Sequence, residues 1–135
     1  MEIFSPMKLL ILLPVAFVAL GGEAQALECT DAADQTAMNQ CASKQYKATD
    51  AAMAKVYKDL MAKVSNEGKP LLRDAERAWI AYRDKECAFE TAGTVGGSIN
   101  PFVLLQCLKT KTEVHMAELK AQLNCEEGDV SCGAQ

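Results

Sequence analysis

Residues 35–64 read Gln-Thr-Ala-Met-Asn-Gln-Cys-Ala-Ser-Lys-Gln-Tyr-Lys-Ala-Thr-Asp-Ala-Ala-Met-Ala-Lys-Val-Tyr-Lys-Asp-Leu-Met-Ala-Lys-Val, and this stretch decides the fold class. Met38, Ala42, Gln45, Thr49, Met53, Val56, Leu60 and Val64 recur at steps of three and four, which is one face of an α-helix and cannot be one face of a strand. The helix is expected to begin near Gln35 and to stop at Ser65-Asn66-Glu67-Gly68, with the glycine as its end signal. Pro70 then suits the first turn of a second helix. That helix carries Leu72, Ala75, Trp79, Tyr82, Glu86 and Phe89 on one stripe and ends near Gly93. A third opens at Asn100-Pro101, read as a cap followed by a first-turn proline. It runs through Leu105, Leu108, Thr112, His115, Met116, Leu119 and Leu123 to Asn124. No stretch alternates as a strand does. The expected fold is all-α: an antiparallel helical hairpin or three-helix domain, stapled by disulfides.

Upstream, Lys8 precedes an uncharged apolar run, Leu9 to Leu20, followed by Gly21-Gly22 and Ala24-Gln25-Ala26. A bilayer-spanning helix needs about 20 apolar residues, so this run reads as a signal peptide of residues 1–26, with small residues where a signal peptidase cleaves. Translation from Met7 would give a cleaner leader. Removal leaves residues 27–135 as one domain with 13 basic and 16 acidic side chains, a net charge of −3. Cys29 follows Leu27-Glu28, not the small residues that lipidation requires, so no membrane anchor is expected on the mature form. A periplasmic or secreted location follows. The weakly acidic balance excludes the basic stripe of a nucleic-acid partner.

All six cysteines lie in the mature part: Cys29, Cys41, Cys87, Cys107, Cys125 and Cys132. An even count in a short exported chain reads as three disulfides. Cys87 lies six residues before Gly93 and Cys107 six after Pro101, so an antiparallel hairpin places them at one height. Cys41 and Cys125 fall at opposite ends of such a bundle, which favours Cys29–Cys41 and Cys125–Cys132. With no CxxC pair and only one histidine, no metal site and no cofactor are expected. His115, the lone histidine, reads as a residue near the core with one hydrogen bond. It supplies no Ser-His or Cys-His set, so the chain is not expected to be an enzyme. The loop Gly93-Thr94-Val95-Gly96-Gly97-Ser98 follows a helix and lacks the Gly-Lys-Ser/Thr ending of a phosphate cradle. It reads as a flexible interhelical turn or a partner-binding loop.

The densest motif is Ala75-Glu76-Arg77-Ala78-Trp79-Ile80-Ala81-Tyr82-Arg83-Asp84-Lys85-Glu86-Cys87. Trp79 and Tyr82 are expected to share a face, with Arg83 and Asp84 turned outward or to the flank. This segment resembles the AWIxYRDxxC signature of the lysozyme inhibitor LprI-like family. Met38-Asn39-Gln40-Cys41 with Tyr46, Asp50 and Tyr57 resembles that family's first helix, and Gly96-Gly97-Ser98 with Cys107, Thr112 and Leu119 its third segment. The chain departs from the pattern at Met53-Ala54, where a Leu-Asn pair is usual, and at His115, where an arginine is usual. The resemblance implies an exported α-helical domain that binds a protein partner, a lysozyme. The candidate binding residues are Trp79, Tyr82, Arg83, Asp84, Gly96, Gly97 and Ser98, with the glycine loop plugging the sugar cleft and Arg83 and Asp84 bracing it. The other reading is an envelope interaction module, an adaptor or immunity-type protein.

Overall fold

The computed structural model describes residues 29–126 and 128–133. The expected signal peptide lies outside the described residues. A 3-10 turn at Cys29–Asp31 leads into three helices: α1 (Gln35–Lys63), α2 (Gly68–Glu90) and α3 (Asn100–Leu123). The all-α, three-helix expectation holds, and no strand occurs among the described residues. α1, of 29 residues, is about 43 Å long at 1.5 Å per residue. Asp34 caps it, its carboxylate accepting from the Ala37 amide at 2.8 Å and satisfying one of the orphan N–H groups of the first turn. α1 does not end on a glycine signal. Val64 takes an extended backbone, and Gly68 is the buried first residue of α2. Asn100 departs too. It is already helical, and its side chain donates to Thr94 Oγ1 at 2.9 Å instead of capping α3.

α1 and α3 lie side by side and parallel, which short up-down-up connections require. At one end Asn39 Nδ2 donates to the Ser98 carbonyl at 3.1 Å, and at the other Lys63 Nζ donates to the Leu123 carbonyl at 2.8 Å. α2 runs against both but stands off from α1, because Trp79 and Arg83 lie between them. The apolar core occupies the half of the bundle around the α1–α2 turn. Met53, Val56, Leu60, Val64 and Leu119 are buried there, with Leu72, Trp79 and Met116 packed against them. Between the helices at this end is an open apolar pocket of about 260 Å³ lined by Leu60, Val64, Leu71, Leu72, Ala75 and Leu119. Gly133 also reaches it, its amide donating to Gln122 Oε1.

Three disulfides supplement this narrow core. Cys29–Cys41 ties the 3-10 turn to α1 with Cα atoms 5.5 Å apart, and Cys87–Cys107 joins α2 to α3 at 5.7 Å. Cys125–Cys132 closes the tail at 5.8 Å. Cys87 is completely buried, so the α2–α3 staple is also a packing element. The double substitution Cys87→Ala/Cys107→Ala opens a loop of 20 residues and is expected to lower stability by about 3 kcal/mol in the chain-entropy account. Urea denaturation followed by far-UV circular dichroism measures this; an unchanged midpoint would contradict it.

Candidate functional site

The central half of the bundle is polar, and Arg83 is its hub. The residue is only 5% exposed. Its Nε and Nη2 both meet Asp84 Oδ1, at 2.9 and 2.8 Å, while Nη1 donates to Asp50 Oδ1 at 3.2 Å and Thr112 Oγ1 at 3.3 Å. The guanidinium also sits 5.2 Å from the Trp79 ring centre and 5.6 Å from that of Tyr46, within cation–π range. A buried charge persists only when paired and hydrogen-bonded, and here all three helices supply partners. Burial favours loss of the Arg83 proton, but the bonds and charges of Asp84, Tyr46 and Asp50 outweigh it and hold the group above its ordinary value. Burial likewise raises the Tyr46 phenol, opposed by the Arg83 charge and reinforced by Asp50 and Asp84.

Trp79 on the buried side and Asp84 at the flank stand as expected, but Tyr82 and Arg83 exchange places. Arg83 points inward with Trp79, whereas Tyr82 is 56% exposed and Phe89 78%. One step of 100° separates Tyr82 from Arg83, so only one of them can share the buried side with Leu72, Glu76, Trp79 and Cys87. The acceptors on α1 and α3 decide for Arg83. Thr112, with no exposed surface, satisfies its own hydroxyl proton on the Leu108 carbonyl at 2.7 Å and is left free to accept from Arg83.

One turn along, His115 stacks on Trp79 with ring centres 3.9 Å apart and planes 12° from parallel. It makes more than the single hydrogen bond expected. Nε2 lies 2.7 Å from Glu76 Oε2 on α2, and Nδ1 lies 3.1 Å from Glu118 Oε2 on its own helix. The nearly buried Glu76 thereby gains a partner across the α2–α3 seam. Sequence reading missed Glu76, because a carboxylate on a helix carries no sign that a histidine 39 positions away will meet it.

The glycine segment forms a folded turn. A short 3-10 turn, Ala92–Thr94, follows α2. Thr91 Oγ1 donates to the Cys87 carbonyl at 2.7 Å, Thr94 Oγ1 to the Thr91 carbonyl at 2.8 Å, and the Gly97 amide to the Thr94 carbonyl at 3.0 Å. Gly96 has φ +86°, a conformation that a Cβ would strain. At Gly97 a Cβ would lie 3.2 Å from the Thr94 carbonyl oxygen. Asn39 on α1 pins the far side through Ser98. The brace is therefore Asn39, Thr91, Thr94 and Asn100. Arg83 is bonded to Asp84 beside it and, across the helices, to Asp50 and Thr112. The turn presents Val95, 75% exposed, at its tip, with Ser98 also exposed.

Cys125, Asp129 and Cys132 are the group among the described residues whose ligand-type atoms come within 4.8 Å of one another, but the two sulfurs are bonded to each other. Among the described residues no helix is long and apolar enough to cross a membrane. Truncating Arg83 leaves Asp50 and Asp84 half-exposed and open to water, so the cost comes mainly from lost packing on Trp79 and Tyr46. Arg83→Ala is expected to lower stability by about 2 kcal/mol, with Arg83→Met recovering part of it through its apolar stem. Denaturation midpoints of the two variants check the order.

The profile of the family described as "Lysozyme inhibitor LprI" matches residues 29–119, and the chain belongs to that family. It is also 33% identical over 113 residues to an uncharacterized protein of Rhizobium meliloti, covering 74% of this chain and 81% of the relative. No solved structure matches.

Proposed function

We propose that this member of the lysozyme inhibitor LprI family is an exported, non-enzymatic binding protein that blocks a lysozyme-type muramidase, and that the turn at residues 93–98 is the part that enters the sugar cleft. One observation carries the assignment to the turn: it is a narrow, pre-folded projection with an exposed apolar tip, Val95, held by side chains from α1, the end of α2 and the start of α3. A segment already fixed in one shape loses little conformational freedom on binding, so more of its contact energy appears as affinity. The Cys87–Cys107 staple lies close behind it and fixes the two helix ends from which it projects. The net charge of −3 without the leader favours encounter with a basic enzyme.

Within this reading Trp79, Arg83 and Asp84 maintain the scaffold and contact no partner. Val95, Gly96, Gly97 and Ser98 form the contact surface. Gly97 is a poor probe, because a side chain there would push on the Thr94 carbonyl and move the whole turn. Val95 is the better one, since its side chain already faces solvent.

Titrating the oxidised protein into a turbidity assay of lysozyme on bacterial cells tests the proposal, with a reduced and alkylated sample as control. Saturable inhibition by the oxidised form alone is expected. Val95→Asp should weaken it by about thirtyfold, the effect of losing a central apolar anchor worth about 2 kcal/mol. Val114→Asp, at an exposed position midway along α3, should leave it unchanged. Inhibition that survives Val95→Asp would remove the turn from the interface. Absence of inhibition across lysozyme classes would favour the envelope interaction module.

A further inference from the structure

α2 carries a second apolar stripe, on a side of the helix that the fold leaves in solvent. Leu71, Ala75, Ala78, Tyr82 and Phe89 are spaced by four, three, four and seven residues and share one face. Leu71 is 68% exposed, and all five fall in the exposed class. Isolated exposed apolar residues are ordinary, whereas an aligned run with two aromatics marks an interaction surface.

The stripe is divided by size. Its first half is hollow at Ala75 and Ala78, which have only methyl side chains, beside the exposed Leu71; Leu71 and Ala75 line the 260 Å³ pocket. Its second half is large, with Phe89 projecting freely and Tyr82 exposed on one side while Lys111 Nζ of α3 lies 6.0 Å from its ring centre. A hollow half and a projecting half on one helix are complementary to each other only when a second copy runs antiparallel, which is the isologous contact of a two-fold dimer. With the axis at the level of Ile80, Phe89 of each copy faces Leu71 of the other and Tyr82 faces Ala78. Phe89 then sits at the mouth of the partner copy's pocket. A 150 Å³ apolar cavity already holds a benzene ring, so 260 Å³ admits one aromatic side chain.

The flanking charges agree with this register. Asp74 and Lys85 are both exposed and lie eleven residues apart, close to three full turns, so they occupy the same flank of the stripe. In the register set by Phe89 and Leu71, Asp74 of one copy faces Lys85 of the other, and the two-fold axis repeats the pair. Opposite charges beside a central apolar contact fix register and suppress the slipped alternatives.

We propose that the protein forms a two-fold homodimer through antiparallel packing of the Leu71–Phe89 stripe of α2, with Phe89 seated over the apolar pocket of the second copy. The turns at residues 93–98 then project from opposite ends of the assembly and stay free. The dimer and the lysozyme reading therefore stand or fall separately.

Sedimentation equilibrium of the oxidised protein over micromolar concentrations tests this, with circular dichroism confirming that each variant is folded. Twice the mass of one chain is expected. Phe89→Glu and Leu71→Glu should each raise the dissociation constant about thirtyfold or more. Asp74→Lys and Lys85→Asp should each weaken association, and the double exchange should restore it. A single-chain mass throughout, or a dimer indifferent to both Phe89→Glu and Leu71→Glu, would overturn the proposal. A double exchange that fails to recover association would overturn the register.

Discussion

The guanidinium of Arg83, enclosed between three helices, is the interaction on which the rest of the structure depends. A charge so far from water holds its place only if its donors are met, and they are met by Asp84 beside it, Asp50 on α1 and Thr112 on α3. That requirement fixes the rotation of α2 and the relative height of all three helices. It also fixes what faces outward: with Arg83 and Trp79 inside, Tyr82 and Phe89 must be outside. A purely apolar seam would tolerate rotation and sliding far better, since hydrophobic contact is not directional.

The residues that carry the family resemblance converge on this hub. Tyr46, Asp50, Trp79, Arg83, Asp84 and Thr112 are scattered over 67 positions and meet around one guanidinium. Asn39, from the same set, pins the turn through Ser98. The signature is therefore chiefly a description of how the bundle is held. Its exposed product is the turn between α2 and α3, whose tip lies outside the hub and can change without disturbing it.

Much of the architecture is legible in the sequence, because it rests on period and punctuation. The steps of three and four along α1 place its buried residues correctly, and the distances of Cys87 and Cys107 from the turn place them opposite one another. The reading of α2 misses for a physical reason. It carries apolar residues on two sides, and Leu72 and Trp79 cannot be told by hydrophobicity from Tyr82 and Phe89. Only acceptors supplied from α1 and α3 show that Arg83 belongs inside, and a single helix does not display them. Asn100 and Gly68 look like a cap and a stop because their side-chain types favour those roles. Tertiary contacts place them otherwise, Asn100 on Thr94 and Gly68 inside the first turn of α2.

The most direct test of the account is chemical-shift mapping of the oxidised, nitrogen-15-labelled protein during titration with lysozyme. The amides of Val95 to Ser98 are expected to shift most, with Asn39 following through its bond to Ser98, while Asp50, Arg83 and Thr112 stay in place. Large shifts centred on the Arg83 network, or on the face of α1 remote from the turn, with the turn unmoved, would contradict it.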